Sequence, residues 1–136
     1  MQISQSVSAT LTLDQGVPLI LDGVLEETGA AVAHLIVLEN EERSRVFSAG
    51  LSDPVFQGLD RALVAIVSRR RDPFIEQDVR DTSEVTLAGS ALRSIAAFPV
   101  RLQNRLVAVL WIGALSPQAF DEGRVQFLNT LANQAA

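Results

Sequence analysis

Apolar positions recur at intervals of three and four residues after a polar N-terminal stretch. Between Asp14 and Gly29, one face at this spacing consists of Ile20, Leu21, Val24, Leu25 and Thr28. Spacing of this kind is typical of an amphipathic helix, which turns once in about 3.6 residues. Asp14 can cap the helix and Gly29 can end it in a left-handed conformation. The pattern therefore predicts a first helix between these two residues.

Two short apolar runs follow, separated by a polar cluster. Ala31–Leu38 is rich in aliphatic and β-branched residues and is too short for a helix, and Arg45–Ala49 returns after the acidic stretch 39–42. We expect an antiparallel hairpin with a charged tip, whose first strand is buried on both faces.

The second helix has the clearest start in the chain. Ser52 or Asp53 can serve as its cap, and Pro54 suits the first helical position. Three arginines, 69–71, are expected to close it at the negative end of the helix dipole. Its apolar stripe consists of Val55, Phe56, Leu59, Leu63, Ile66 and Val67.

The second half of the chain alternates less regularly before it becomes strongly apolar. Pro73–Val79 is predicted to be a short edge strand, and Glu84–Leu92 a short helix. Residues 93–100 and 106–112 then form two apolar strands, joined by a turn at Gln103 and Asn104. We expect Trp111 to share a core-facing strand surface with Val107 and Val109.

A last helix begins near Asp121. Its apolar seam consists of Val125, Leu128, Leu131, Ala132 and Ala135. The seam runs to the end without a cap, a glycine or a proline, which predicts a piece of a larger protein. Residues 1–13 are expected to be a leader or connector, followed by one domain over 14–136.

Composition excludes several classes of function. The chain has 136 residues, is 48% hydrophobic and carries a net charge of −5, and its eleven basic residues are all arginine. We therefore expect one domain that does not bind nucleic acid. Because the chain has no cysteine, it forms no disulfide and no cysteine-ligated metal site. The longest apolar run, 106–115, is shorter than the roughly 20 residues of a spanning helix. We expect a cytoplasmic protein without membrane contact.

The last third of the chain resembles a GAF domain. The first of its two strands carries Arg93-Ser94 and then Pro99-Val100, and the second reads Arg-Leu-Val-Ala-Val-Leu over 105–110. Ala108 stands where the family usually has glycine. Phe120-Asp121 fits the start of the family's final helix.

The resemblance implies an α+β fold of the GAF/PAS-like (profilin-like) type. Its central antiparallel sheet has five or six strands, with the N- and C-terminal helices packed on one face. Short helices and loops cover a pocket on the other face. Such domains act in bacterial signal-transduction proteins as non-catalytic sensory modules. They pair as homodimers through their terminal helices and regulate a linked histidine kinase, cyclase or transcription regulator.

The ligand stays unknown. Covalent bilin attachment commonly uses a cysteine, and methionine sulfoxide reduction by a related domain needs catalytic cysteines; this chain has none. The cyclic-nucleotide-binding members carry an Asn-Lys pair, and this chain has no lysine. An alternative is a ligand-free dimerisation or adaptor module of the GAF, roadblock or PAS-like type.

The candidate ligand-binding residues have competing structural interpretations. His34, the only histidine, is favoured as a buried imidazole with a local hydrogen bond. Asp78 belongs to an acidic cluster interpreted as a solvated loop, and Arg93 is interpreted first as an exposed strand end. Phe74 and Phe98 are the phenylalanines expected nearest the pocket. The full set is His34, Phe74, Asp78, Arg93, Ser94 and Phe98.

Overall fold

A computed structural model describes residues 16–40, 43–70, 72–79, 91–117 and 119–135. Within these ranges the elements are α1 (16–28), β1 (Val32–Leu38), β2 (Ser44–Gly50), α2 (Val55–Ser68), β3 (Phe74–Glu76), β4 (Ser94–Leu102), β5 (Arg105–Ala114) and α3 (Glu122–Ala135). The predicted leader, the Asp14 cap and all but the last two residues of the predicted helix Glu84–Leu92 lie outside them. Residues 91 and 92 are not helical.

The five strands form one antiparallel sheet in the order β2-β1-β5-β4-β3. The two most apolar strands, β4 and β5, are neighbours in the interior of the sheet, so neither has an edge exposed to water. The polar β2 and the three-residue β3 occupy the edges. This arrangement confirms the expected α+β fold.

The sheet separates two hydrophobic layers. Successive side chains of a strand point to opposite faces. In β4, Ala96 and Phe98 therefore face one layer, while Ile95 and Ala97 face the other. We call the first layer the terminal-helix face and the second the α2 face.

Both terminal helices pack on the terminal-helix face. Their buried residues are Val17, Leu21 and Val24 of α1 and Leu128 and Ala132 of α3. Each large apolar side chain buried in this way stabilises the fold by about 1.5–3 kcal/mol. The expected placement of the first and last helices on one face is confirmed.

The middle helix α2 covers the opposite face. Its buried residues are Phe56, Leu59, Leu63, Ile66 and Val67, which are those of the predicted stripe except Val55. Helix α2 ends at Ser68 and Arg69 is its C-cap residue, so the arginines begin where the helix ends, as predicted, although none lies in its last turn.

Arg101 of β4 supplies the cation at this helix end. Its Nη2 donates to the backbone carbonyl oxygens of Val67, at 3.4 Å, and Arg70, at 2.7 Å. Carbonyls at a helix C-terminus lack partners within the helix, so a cation there is favourable. The Arg70 guanidinium lies 5.3 Å from the centre of the Phe74 ring.

A β-bulge changes the direction of side chains in β5. Val100 pairs with Ala108, and the next residue, Arg101, pairs with Leu106, so Val107 has no partner across the ladder. Val107 and Ala108 consequently both pack on the terminal-helix face. The expectation that Val107 shares a face with Val109 and Trp111 is wrong, because regular alternation stops at the bulge.

The turn predicted between β4 and β5 is present. Gln103 and Asn104 have φ of 54° and 67°, the left-handed values of a tight two-residue hairpin turn. Among the helices in the described ranges, none is both long and apolar enough to cross a membrane.

Gly50 and Gly58 form a matched pair for testing backbone requirements. Gly50 has a φ of 86°, and a Cβ there would collide with the carbonyl oxygen of Ala31. We expect Gly50→Ala to lower the free energy of unfolding by about 2 kcal/mol or more. Gly58, in α2, has open space around it, so Gly58→Ala should raise the free energy of unfolding by about 0.5–1 kcal/mol. Urea denaturation of both variants measures the difference, and equal effects would contradict the strain at Gly50.

Candidate functional site

Asp60 places a carboxylate on the apolar side of α2. It lies four residues after Phe56, three before Leu63 and seven before Val67, all of which are buried. Residues at these spacings share one helix face. A carboxylate in such a position requires hydrogen-bond partners, because burying an unpaired charge costs several kcal/mol.

Two side chains of the sheet meet this carboxylate. Trp111 donates its indole N–H to Asp60 Oδ1 at 2.7 Å, and His34 Nδ1 lies 2.9 Å from the same oxygen. The side chain of Asp60 is 13% exposed and that of His34 is 9% exposed. We refer to Asp60, Trp111 and His34 as the buried triad.

The sheet register brings the two ring-bearing members of the triad together. His34 of β1 and Trp111 of β5 are direct partners across the ladder. Their ring centroids are 4.6 Å apart, and Phe56 of α2 meets each of them edge-on, at 5.7 Å and 5.6 Å. Edge-to-face packing of this type is favourable and fixes the orientation of the imidazole.

A cavity of about 620 Å³ opens beside the triad, between the start of α2 and strand β2. We call it the His34 cavity. Its described lining combines side chains of both elements with the connecting loop: His34, Val46, Ser48, Ala49, Gly50, Leu51, Ser52, Asp53, Pro54, Phe56, Gln57 and Asp60. The volume lies within the usual range for small-molecule sites.

Two triad residues that line this cavity, His34 and Asp60, each have a further polar atom outside the triad's own hydrogen bonds. Asp60 Oδ1 is a carboxylate oxygen that accepts the indole proton, so it can bind the imidazole only if Nδ1 carries the proton. His34 Nε2 is then an acceptor in the neutral ring. Neither Nε2 nor Asp60 Oδ2 has a hydrogen-bond partner among the described residues.

The amides at the start of α2 are occupied. Asp53 Oδ1 accepts the N–H of Val55 at 3.0 Å, and the Asp53 carbonyl accepts that of Phe56. Pro54 has no N–H, and its carbonyl accepts the N–H of Gln57 at 3.3 Å. The helix start is therefore capped by its own chain and offers no free first-turn amide to a ligand.

A second depression lies on the terminal-helix face. We call it the terminal-helix groove; its volume is about 470 Å³. It is lined by apolar residues of the sheet and of both terminal helices: Val17, Ile20, Leu21, Leu35, Val37, Val100, Val107, Ala108, Leu110, Leu131 and Ala132.

Arg93 and Asp78 form an ion pair with each other. Arg93 Nη2 lies 3.0 Å from Asp78 Oδ2 and Nε lies 3.4 Å from Oδ1, which is a forked arrangement. The carboxylate that the Arg93 fork binds therefore belongs to the same chain. Ser94 is fully buried and donates its hydroxyl to the carbonyl of Ser116 at 2.8 Å.

The structure does not gather the six predicted residues into one site. His34 alone among them lines the His34 cavity; it is a buried imidazole, as favoured from the sequence, but its hydrogen bond reaches Asp60 of α2 and is not local. Phe74 lies on the α2 face beneath Arg70. Phe98 packs on the terminal-helix face, so its expected place near a pocket under α2 is wrong. Side chains of a strand alternate between the two faces of a sheet, so Phe98 lies on the same face as Ala96, two residues earlier in β4. Ligand binding by any of the six stays a prediction.

Asp60 is the residue that sequence reasoning missed. The available signal was an acidic residue inside the apolar stripe of the second helix, where a carboxylate needs a buried partner. The prediction that Trp111 lies in the core is confirmed, but the apolar pattern does not indicate which acceptor its indole N–H contacts. Groups of three or more potential metal ligands are not found within the described ranges.

The family model and the similar solved structures agree on one family. The family model of the GAF domain matches residues 10–136. The GAF domain of an Acinetobacter phosphoenolpyruvate-protein phosphotransferase is 21% identical, with a TM-score of 0.73, and the match covers 98% of this chain and 85% of that one. No match is found among curated proteins.

Two further structures have the same fold in different settings. A domain of a putative sensor histidine kinase from Sinorhizobium meliloti is 15% identical, with a TM-score of 0.71 and coverage of 90% of this chain and 88% of that one. A type II free methionine-R-sulfoxide reductase from Thermoplasma acidophilum is 16% identical, with a TM-score of 0.74 and coverage of 88% and 86%. At these identities the structural likeness establishes the fold alone.

Asp60 is expected to hold the α2 face together. Asp60→Ala leaves the buried indole N–H of Trp111 and the imidazole of His34 without their acceptor, which should cost about 2–4 kcal/mol of unfolding free energy. Asp22, an exposed carboxylate of α1, is the matched control, and Asp22→Ala should change stability by less than about 0.5 kcal/mol. Urea unfolding followed by Trp111 fluorescence measures both variants. A cost at Asp60 as small as that at Asp22 would contradict the role of the triad.

Proposed function

The chain belongs to the GAF domain family, whose members are sensory and regulatory domains of signalling proteins, and we propose that it is a non-catalytic sensor. A small molecule or partner occupies the His34 cavity and changes the packing of α2 against the sheet. The terminal helices pass this change to a linked output domain, such as a histidine kinase, cyclase or transcription regulator of a bacterial cytoplasmic protein.

The observation that carries this proposal is the buried triad at the edge of the cavity. His34 Nε2 and Asp60 Oδ2 are acceptors without partners in the described part of the chain, at a site large enough for a small molecule. Polar atoms that converge on a cavity fix the orientation of a ligand. The side chains that hold them in place, Trp111 and Phe56, are buried and tightly packed.

The sheet offers a short path from this cavity to the terminal helices. Trp111 faces α2, and its chain neighbours Leu110 and Ile112 face α1 and α3. A ligand that moves Asp60 would therefore move the indole bonded to it, and with it the side chains on which the terminal helices rest. Close packing transmits such displacements, because a dense core does not deform freely.

A catalytic role has less support. One structure with this fold is a free methionine-R-sulfoxide reductase. The family resemblance implies that this reaction needs catalytic cysteines, and the chain has none. We therefore assign regulation to the domain and no reaction.

A second proposal is that two copies pair through the terminal helices. Leu19 and Ile20 of α1 are 72% and 51% exposed, and Phe127 of α3 is 42% exposed. Ile20 also lines the terminal-helix groove, together with Leu131 of α3. A second copy would remove this apolar surface from water, which is the main driving force for association. Such pairing also suits the alternative role of a ligand-free dimerisation module.

Ligand binding in the cavity is tested with a metabolite screen by thermal unfolding. A compound that binds the folded state at one hundred times its dissociation constant stabilises it by about 2.7 kcal/mol. Ser48 is the partner of His34 across the ladder and lines the cavity, so Ser48→Phe should block the site and abolish the shift. Ser44→Phe, on the same strand face but outside the described lining, is the control that should keep it. A shift that persists in Ser48→Phe would place the ligand elsewhere.

Pairing through the terminal helices is tested by analytical ultracentrifugation. We expect the unaltered chain to self-associate and Ile20→Glu to shift it to monomer, because a buried carboxylate would be desolvated in the interface. Leu102→Glu changes an apolar residue that is 50% exposed at the β4–β5 turn, and it should leave association unchanged. A strict monomer at high concentration of the unaltered chain would refute the pairing.

A further inference from the structure

We propose that the His34 cavity is selective for a small organic cation with N–H donors, such as an amine or amidine. This inference rests on the proposed sensory function and specifies the chemical class of its ligand. It follows from the charges of the cavity, from the direction of its hydrogen bonds and from the apolar surface at its entrance.

The charges of the described lining favour a cation. It contains two carboxylates, Asp53 and Asp60, one histidine and no arginine. The chain has no lysine. An anion entering this space would meet like charge, with no guanidinium among the described lining residues to offset it, and like charges at close range are mutually repulsive in a poorly solvated site.

The hydrogen bonds within the triad use the triad's own donors and leave two of its acceptor atoms without a bond. Trp111 N–H and the Nδ1 proton of His34 are both directed at Asp60 Oδ1. In its neutral form the imidazole therefore presents the lone pair of Nε2, and Asp60 retains Oδ2. A ligand has to donate to these atoms, and charged N–H donors form stronger hydrogen bonds with a carboxylate than neutral donors do.

The start of α2 offers no anion site that would offset the preference of the cavity for a cation. A helix N-terminus is often an anion site because its first amides are free. Here the amides of Val55, Phe56 and Gln57 are bonded to Asp53 and Pro54. The Asp53 carboxylate already occupies the position that an anionic ligand would take.

The entrance of the cavity supplies apolar contact. Val46 and Leu51 are 46% and 40% exposed and lie in the lining together with Pro54. The cavity volume of about 620 Å³ accommodates an aromatic ring or a short aliphatic body besides the cationic group. The expected ligand is thus amphipathic, with its N–H group at Asp60 and its apolar part toward β2.

Three probes of the same shape test the preference for charge: benzamidine, benzamide and benzoate carry positive, zero and negative charge on one ring. Trp111 is the only tryptophan and His34 the only histidine, so the indole N–H signal and the imidazole signals in NMR spectra can each be assigned to this site. We expect saturable shifts of both signals with benzamidine, at least about tenfold weaker binding of benzamide, and no binding of benzoate.

Two substitutions test the role of the carboxylates. Gln57→Glu adds a carboxylate to the lining at an exposed position and should tighten benzamidine binding severalfold. Asp60→Asn should weaken it by about tenfold or more, while Asp22→Asn, on the opposite side of the sheet, should leave it unchanged. Because Gln57→Glu leaves the buried triad intact, the test does not depend on the folding of Asp60→Asn.

Each outcome of this titration decides the inference. Equal binding of the three probes, preferred binding of benzoate, or no binding of any probe at millimolar concentration would overturn it. So would unchanged benzamidine binding in Gln57→Glu. The sensory function itself would survive these results if the metabolite screen finds a neutral or anionic compound whose effect Ser48→Phe removes. It would fail if no compound stabilises the domain through this cavity.

Discussion

One carboxylate connects the middle helix to the centre of the sheet. Asp60 accepts hydrogen bonds from the indole N–H of Trp111 and from Nδ1 of His34; Trp111 is fully buried and His34 nearly so. A buried donor without an acceptor costs about 1–3 kcal/mol, so the position of α2 over β1 and β5 is fixed by chemistry as well as by apolar packing. Two of these residues, His34 and Asp60, also line the His34 cavity, and the indole of Trp111 behind them holds the carboxylate in place.

The sheet performs the complementary task of keeping two layers apart while linking them. Its central strands carry apolar side chains on both faces, so neither face can be left to solvent, and helices must cover both. The N- and C-terminal helices take one face and α2 takes the other. Because the cavity lies on the α2 face and the terminal helices lie on the opposite one, the direct route between them crosses the sheet at β1 and β5.

Most of the architecture was predictable because it depends on periodicity. The hairpins, the α2 stripe, the edge position of β3 and the Gln103-Asn104 turn follow from apolar spacing and turn residues, and the family resemblance supplied the order of the layers. The failures have local causes. The bulge at Val107 adds one residue to strand β5, and the hydrophobic pattern does not indicate such an insertion. The cap that Arg101 provides for α2 depends on a contact between residues far apart in sequence. The site was harder to predict than the fold, because it depends on which buried donor finds which acceptor.

The two depressions of the molecule differ in the chemistry that they offer, and this difference separates recognition from assembly. The terminal-helix groove is lined by apolar side chains alone in the part of the chain that is described, so it can gain free energy only by excluding water. Contacts of that kind are non-directional and suit the pairing of helices. The His34 cavity has oriented acceptors with carboxylate charge, and these discriminate among small molecules by hydrogen-bond direction and sign of charge. Strand β5 connects the two depressions, because Trp111 is hydrogen-bonded to Asp60 of the His34 cavity while its neighbour Leu110 lines the terminal-helix groove.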